Sequence, residues 1–403
     1  MRVVISSIGS RGDVQPILAL AVELAALGHG ATLCVAPNFK GWVESFGIEC
    51  VPLGPDLREL VRRGAGARRN RAARARLRNS VPESVAEQFA VLAEATQGCD
   101  LVVAAGALQT AARSIAESVE IPYVYATYCP CTLPSPRHPP PMVRTQSLPT
   151  FVNRLLWCSA EWGSNRIFRE PVNRQRAKLG LSPVTSVSRH VTTERPWLAA
   201  DAILAPANAN GGIEVTQTGA WFLDDSAELP DDLERFLDDG EPPIYFGFGS
   251  MGSPVAATEL LVEAARSVGR RIIVSRGWAE LALQDDGIDA FSIGDVNHAK
   301  LFPRIAAIVH HGGAGTTTAA ARAGTPQVVI PHIYDQHYWA HRVELLGIGA
   351  ASPAASRPSA HTLARSLREC LQTDTVAAAQ RIAGRMELHG ARIAAEKLVA
   401  EFD

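Results

Sequence analysis

The chain has 403 residues, 47% of them hydrophobic and 20% charged, and a formal net charge of −2 at pH 7. That length exceeds the usual single domain, and the composition is globular, neither disordered nor fibrous. The near-neutral balance gives no general electrostatic reason for a nucleic-acid partner, and no apolar run approaches the length of a membrane span, so no stable membrane insertion is expected.

The first elements follow at once. Val3 to Ser7 reads as a short apolar strand, Gly9 to Asp13 as a turn, Pro16 to Leu27 as an amphipathic helix ended by Gly28, and Ala31 to Val35 as the next strand. This is a βαβ unit. It begins so early that no room is left for a signal peptide, and seven cysteines without framework spacing, Cys129 and Cys131 included, fit reduced thiols; a cytoplasmic protein is expected. Strands at Leu101 to Ala105 and Tyr123 to Ala126 continue the alternation. Two stretches stand out: 58–78, which carries nine arginines, reads as a solvated helix or loop, a contact for an anionic acceptor, or a site of transient attraction to a membrane surface or other acidic partner, and Leu133 to Pro141 is a proline-rich loop with Arg137 and His138.

A second series starts at Ile244: strand Ile244 to Gly247, helix Thr258 to Ser267, strand Arg271 to Ser275, strand Ala306 to His310, a helix from Thr318 to Ala323, and strand Gln327 to Ile330. Strands alternating with helices predict an α/β protein of two doubly wound, Rossmann-like domains, whose ligands bind beyond the carboxyl ends of the strands. The expected division is an N-terminal domain over 1–216, a connection over 217–243, a C-terminal domain over 244–372 and a helical segment over 373–403.

The most informative stretch is His310-His311-Gly312-Gly313-Ala314-Gly315-Thr316-Thr317-Thr318, which runs from an apolar strand into an alanine-rich helix. Backbone without side chains at a helix N-terminus approaches a phosphate closely, and unpaired N–H groups and the helix dipole favour an anion there. Threonine hydroxyls and a histidine add donors. A diphosphate ligand follows. Ile8-Gly9-Ser10-Arg11-Gly12 lacks dinucleotide spacing, and no Walker lysine follows either turn, so a nicotinamide enzyme and a kinase are both disfavoured.

HHGGAGTTTAA, continued by Arg322-Ala323-Gly324-Thr325-Pro326 and Pro331-His332-Ile333-Tyr334-Asp335-Gln336, resembles the donor-binding segment of family-1 glycosyltransferases, particularly the bacterial antibiotic enzymes and sterol glucosyltransferases. Ser7 to Pro16 resembles the same group's N-terminal loop, and Ile244 to Met251 its second phosphate loop. The resemblance implies a GT-B fold and an inverting, metal-independent transfer of a hexose from UDP or dTDP to a hydroxyl of an apolar acceptor such as a polyketide, macrolide, sterol or glycopeptide aglycone. It needs no cofactor beyond the nucleotide-sugar co-substrate.

By that resemblance His311, Gly313, Gly315, Thr316 and Ser250 contact the donor phosphates, Val296 reads the base through its backbone, and Asp335 and Gln336 hold the hexose hydroxyls. Asp13 is the base that takes the acceptor's proton, with Ser10 and Gly12 near the reaction centre; His310 is structural. A free aspartate, with a pKa of about 3.9, takes that proton only late in the reaction. Ala319 stands where plant relatives carry a ribose-binding Glu, which leaves the ribose contact and the choice of uridine or thymidine open. Tyr123, Tyr125, Tyr128, Phe151, Trp157 and Trp162 lie in the half where the family builds its acceptor pocket, though aromatic cores use the same residues. The last segment is expected to cross back to the N-terminal domain. A nucleotide-sugar epimerase and a catalytically silent partner protein are the alternatives of the same fold.

Overall fold

The structure, a computed structural model, describes residues 1–56, 80–207, 213–249, 256–277, 289–352 and 359–403. The chain forms two compact units. The first comprises Met1–Pro140, Ser147–Leu223 and Glu387–Asp403; the second comprises Pro141–Gln146 and Asp224–Met386.

In the first unit β1 (Arg2–Ser7), α1 (Arg11–Ala26), β2 (Gly30–Val35), α2 (Lys40–Glu44) and β3 (Glu49–Pro52) are followed by α3 (Val81–Ala95), β4 (Leu101–Ala105), α4 (Ala112–Ser118) and β5 (Tyr123–Thr127). Then come α5 (Thr150–Lys178), α6 (Val187–Thr192) and two short strands, β6 (Trp197–Leu198) and β7 (Thr216–Gln217). All pair in parallel, in the order β3-β2-β1-β4-β5-β6-β7. A parallel sheet covered on both faces needs strands apolar on both sides, which is why β1 and β4 read as continuous runs. Val4, Ile5, Val102 and Val103 are wholly buried, and each such side chain contributes roughly 1.5–3 kcal/mol relative to exposure.

The second unit runs α7 (Asp231–Asp238), β8 (Ile244–Gly247), α8 (Ala256–Ser267), β9 (Ile272–Ser275), β10 (Ala290–Ile293), α9 (His298–Leu301), β11 (Ala307–His310) and α10 (Ala314–Arg322). It closes with β12 (Gln327–Val329), α11 (Gln336–Leu345), β13 (Gly349–Ala351), α12 (Ala360–Cys370) and α13 (Thr373–Ala383); α14 (Gly390–Phe402) belongs to the first unit. Its parallel sheet has the order β10-β9-β8-β11-β12-β13. Phe246, Val274, Val309 and Leu367 fill one side, and Tyr245, Ile273, Phe302 and Ile308 the other.

These boundaries differ from the sequence reading in three places. Residues 217–243 are not one connection: Gln217 ends a strand of the first sheet, while α7 buries Leu233 and Leu237 in the second unit's core. A four-residue spacing of leucines outweighed the acidic, proline-flanked composition. Of 373–403 only Glu387–Asp403 belongs to the first unit, because α13 packs on α10 in the second. Pro141–Gln146 also belongs to the second unit.

In each sheet the strand order reverses once, between β1 and β4 in the first and between β8 and β11 in the second. Connections leave in opposite directions there and open a crevice at the carboxyl ends. Asp13 follows β1, and His311 follows β11.

Candidate functional site

In the first unit the residues 9–13 do not form a turn ahead of a helix starting at Pro16. α1 begins at Arg11 with Ser10 as its cap, so Asp13 sits in the first helical turn and Pro16 inside the helix. The carboxylate reaches back: Oδ2 accepts from the Ser10 amide at 2.8 Å and faces the Ser10 hydroxyl at 3.3 Å. This is the return half of a capping box. Gly9 leaves the room for it, since a Cβ there would stand 2.1 Å from Oδ2. Asp13 is half-buried, and burial pushes its carboxyl up to about 6, while the Ser10 amide and hydroxyl pull the other way. Such a carboxylate is ionised at neutral pH yet far more basic than a free one.

In the second unit β11 delivers two histidines with different fates. His310 is fully buried; its Nδ1 accepts from the Gly312 amide at 3.0 Å, so Nε2 carries the hydrogen and donates to Gln327 at 2.9 Å. Gln327 in turn donates to the Thr317 carbonyl. Burial, with the neighbouring His311, holds His310 down at about 3. It is a neutral strut of the turn. Gly312 has φ +88°, and a Cβ there would meet Val329 Cγ1 at 2.7 Å, so conformation and packing both demand glycine.

His311 is placed differently. Its Nδ1 is buried and has no hydrogen-bond partner. Its Nε2 lies 2.6 Å from where a Cβ of Gly313 would stand, and its Cε1 lies 3.4 Å from the corresponding position at Gly249, so two glycines flank the ring. Burial, then His332, holds it down at about 4, so it is neutral at pH 7. An unsatisfied buried polar atom costs roughly 1–3 kcal/mol, which a ligand offsets by pairing with it.

Gly313 caps α10, and the amides of Ala314, Gly315 and Thr316 follow as the first three of the helix, without intrahelical acceptors. The first turn contains no acidic residue. The Thr317 and Thr318 hydroxyls donate to the Gly313 and Ala314 carbonyls, so of the three threonines that the sequence offered as donors, these two are spent inside the helix. What remains is an amide cradle beside His311. It suits an anion of two or more oxygens.

Asp335 and Gln336 lie together at the start of α11, in the same unit. Asp335 Oδ2 accepts from Trp339 Nε1 at 3.0 Å, and Gln336 Oε1 accepts from the amides of His332 and Ile333 at 2.7 and 3.0 Å. Tyr334, just before them, has φ +59°, and its carbonyl accepts from the Met142 amide at 3.1 Å. Val296 packs partly into the core, and Asn297 fixes its loop by donating to the carbonyls of Asp225 and Ala227 while capping α9. Ala319 packs against that core as well. Ser250 and the arginine-rich 58–78 lie outside the described residues.

The six aromatics do not form one cluster. Tyr123 and Tyr125 bond their hydroxyls to the carbonyls of Val191 and Gly106, Trp157 donates to the His138 carbonyl, and Phe151 and Trp162 are each 65% exposed on α5. Only Tyr128 touches the Asp13 turn, through its hydroxyl. The residue that sequence reasoning passed over is Gly106; a glycine directly after a strand at the order reversal is its signal. Among the described residues no group of three His, Cys, Asp or Glu could hold a metal ion, and no helix is long and apolar enough to cross a membrane.

Comparison with known proteins places this geometry. Residues 3–135 match the glycosyltransferase family 28 N-terminal domain, and residues 271–391 match the erythromycin biosynthesis protein CIII-like C-terminal domain. The chain is 43% identical to Glycosyltransferase GtfE and 40% identical to Vancomycin aglycone glucosyltransferase, both of Amycolatopsis orientalis, each over 99% of this chain and 97% of the relative. At lower identity, 29%, it resembles a sterol 3-beta-glucosyltransferase of Arabidopsis thaliana, covering 96% of this chain and 66% of the relative. Among solved structures, the glycotransferase of kitacinnamycin superposes with a TM-score of 0.77 at 17% identity over 100% of this chain and 99% of that one. Glycosyltransferase VinC in complex with dTDP superposes with a TM-score of 0.70 at 20% identity over 99% of both. Two Rossmann-like units, these domain matches and full-length identity above 40% make the chain a member of the GT-B glycosyltransferases, in the branch that holds the vancomycin-type enzymes.

Proposed function

We propose that the protein is an inverting, metal-independent hexosyltransferase of the cytoplasm, which moves a hexose from UDP or dTDP onto a hydroxyl of an apolar natural-product aglycone. The observation that carries the reading is the buried, unpartnered Nδ1 of His311 beside the open amides of α10. Negative charge grows on the leaving diphosphate as the sugar departs, and preorganised donors that are stronger partners for that charge than for the ground state lower the barrier. His311, with the amides of Gly313, Gly315 and Thr316 and with Ser250, takes that role.

In the proposed step the bond from the sugar's C1 to the diphosphate oxygen breaks as the acceptor oxygen bonds to C1 from the opposite side. The acceptor proton passes to Asp13, and the products are a glycoside of inverted configuration and the nucleoside diphosphate. At a pKa of about 6, Asp13 is about nine-tenths ionised at pH 7. It therefore combines the correct ionisation state with more driving force than a free aspartate. Asp335 and Gln336 orient the hexose hydroxyls, and the backbone at Val296 holds the base. The relatives' names supply the acceptor and donor classes: one acts on vancomycin aglycone, and another is named dTDP-epi-vancosaminyltransferase.

The test is a screen of UDP-glucose and dTDP-glucose against vancomycin aglycone, a macrolide aglycone and a sterol, read by mass spectrometry with and without excess EDTA. Expected are a glycoside whose formation survives the chelator, release of diphosphate only when acceptor is present, and a β-glycoside from an α-linked donor. Epimerised donor without acceptor, retained configuration, or loss in EDTA with rescue by Mg²⁺ would overturn the corresponding part of the reading.

A further inference from the structure

Three strand ends converge on the first turn of α1: Ser7 closes β1, Gly106 follows β4 and Tyr128 follows β5. The Tyr128 hydroxyl donates to the Asp13 backbone carbonyl at 2.8 Å. The Ser7 hydroxyl lies 3.3 Å from the same carbonyl and 3.1 Å from that of Ala105. The Tyr128 ring stands edge-on to Trp221, with centroids 6.5 Å apart, and Trp221 is itself fixed by its bond to Thr218. The turn is thus held at its carbonyl by β5 and at its carboxylate by the cap.

The two carboxylate oxygens are not equivalent. Oδ2 takes both Ser10 contacts, whereas Oδ1 has no hydrogen-bond donor among the described residues and lies 3.3 Å from the point where a Cβ of Gly106 would stand. Gly106 has φ +79°, so the absent side chain there is also a conformational requirement.

We infer that Tyr128 is a positioning residue for transfer: it locks the first turn of α1 so that Oδ1 of Asp13, facing Gly106, is the oxygen that receives the acceptor's proton. The inference rests on the reading of Asp13 as the base. Tyr128 is kept neutral, its phenol pushed well above the usual range by burial and then by Asp13, and Arg11 of the same turn stacks over Trp42 at 4.7 Å. Tyr128 supplies no titration near pH 6, so the lower limb of the rate profile is assigned to Asp13.

The experiment compares the single-turnover rate of transfer from UDP-glucose or dTDP-glucose to vancomycin aglycone, between pH 4.5 and 9 (about the range bracketing a carboxylate and a phenol), in wild type, Tyr128→Phe, Ser7→Ala and Asp13→Asn. Tyr128→Phe lets water reach the carboxylate and loosens its carbonyl anchor. The plateau rate should fall about tenfold, the scale of one lost hydrogen bond. The lower limb should move below pH 6, with donor KM unchanged. Ser7→Ala should shift the same limb by less. If both variants keep the wild-type limb and plateau, or lose activity through KM alone, positioning by Tyr128 is overturned, and should Tyr128→Phe fail to fold, an unmoved limb in Ser7→Ala does the same. Near-wild-type transfer by Asp13→Asn would instead bring down the base reading itself, so the two failures are distinguishable.

Discussion

The two loops that follow β1 and β11 share one architecture and use it oppositely. Both leave a parallel strand at the order reversal of their sheet, pass through glycines and enter a helix. In α1 an acid of the first turn folds back onto the cap amide, so the positive end of the helix is neutralised from within. In α10 the first turn has no acid and the neighbouring imidazole is neutral and unpartnered, so the same positive end is offered outward. On the function proposed above, one helix terminus tunes a base and the other receives an anion. A glycine-rich strand-to-helix turn does not by itself say which; the presence or absence of an acid in the first helical turn does.

The sharpest way to break the contrast is Asp13→Asn. The amide keeps the size and part of the hydrogen bonding but loses the basicity, so transfer to an alcohol acceptor should fall about 10²- to 10⁴-fold. A phenolic acceptor, partly ionised at high pH, should recover much of the mutant's rate as pH rises, and an alcohol little. Stopped assays on both acceptors decide it, and near-wild-type transfer to both would reduce Asp13 to a capping carboxylate.

Next in size is His311→Ala, for which kcat should drop by roughly two to three orders of magnitude, the usual loss for one preorganised donor to a developing charge. The melting temperature should hold, because the ring's Nδ1 has no bond in the folded protein to lose. Unchanged kcat would make this histidine a strut like its neighbour.

The smallest effect separates the glycines of the second loop. Gly312→Ala forces a side chain into φ +88° and against Val329, and should cost about 1–3 kcal/mol in thermal or denaturant unfolding. Gly315→Ala should match wild type, since a Cβ there meets nothing within 4 Å. Equal losses would mean that neither the positive φ nor the Val329 contact sets Gly312 apart.

Much of this was legible in the sequence because buried parallel strands are apolar throughout: the strands at Leu101 to Ala105 and Ile244 to Gly247 were read to the residue. Helix starts were not. Pro16 looked like a first helical residue, whereas it lies one turn in, where its missing N–H removes the helical bond to the Gly12 carbonyl. α10 likewise begins at Ala314, four residues before the expected Thr318, with Gly315 in its first turn. Local propensity disfavours glycine there, yet the helix starts through it. The candidate residues of the second unit were named from the resemblance of their motifs, but the separate fates of His310 and His311 depend on which one points at Gln327 and which at the glycines, and side-chain direction is not written in a motif. The basicity of Asp13 was equally hidden. It comes from burial beside Gly106 and Tyr128, residues about a hundred positions away that only the sheet brings close.

The contrast between the two helix termini is measured most directly by calorimetric titration of UDP and dTDP into wild type, Asp13→Asn and Gly315→Asp. Gly315→Asp places in α10 the kind of first-turn acid that α1 already has, in a position with room for it. Diphosphate affinity should stay within about twofold of wild type in Asp13→Asn and fall about tenfold or more in Gly315→Asp, with uncharged thymidine much less affected, as like-charge repulsion and a neutralised dipole require. Diphosphate binding that survives Gly315→Asp but is lost in Asp13→Asn would contradict the assignment of base and anion cradle.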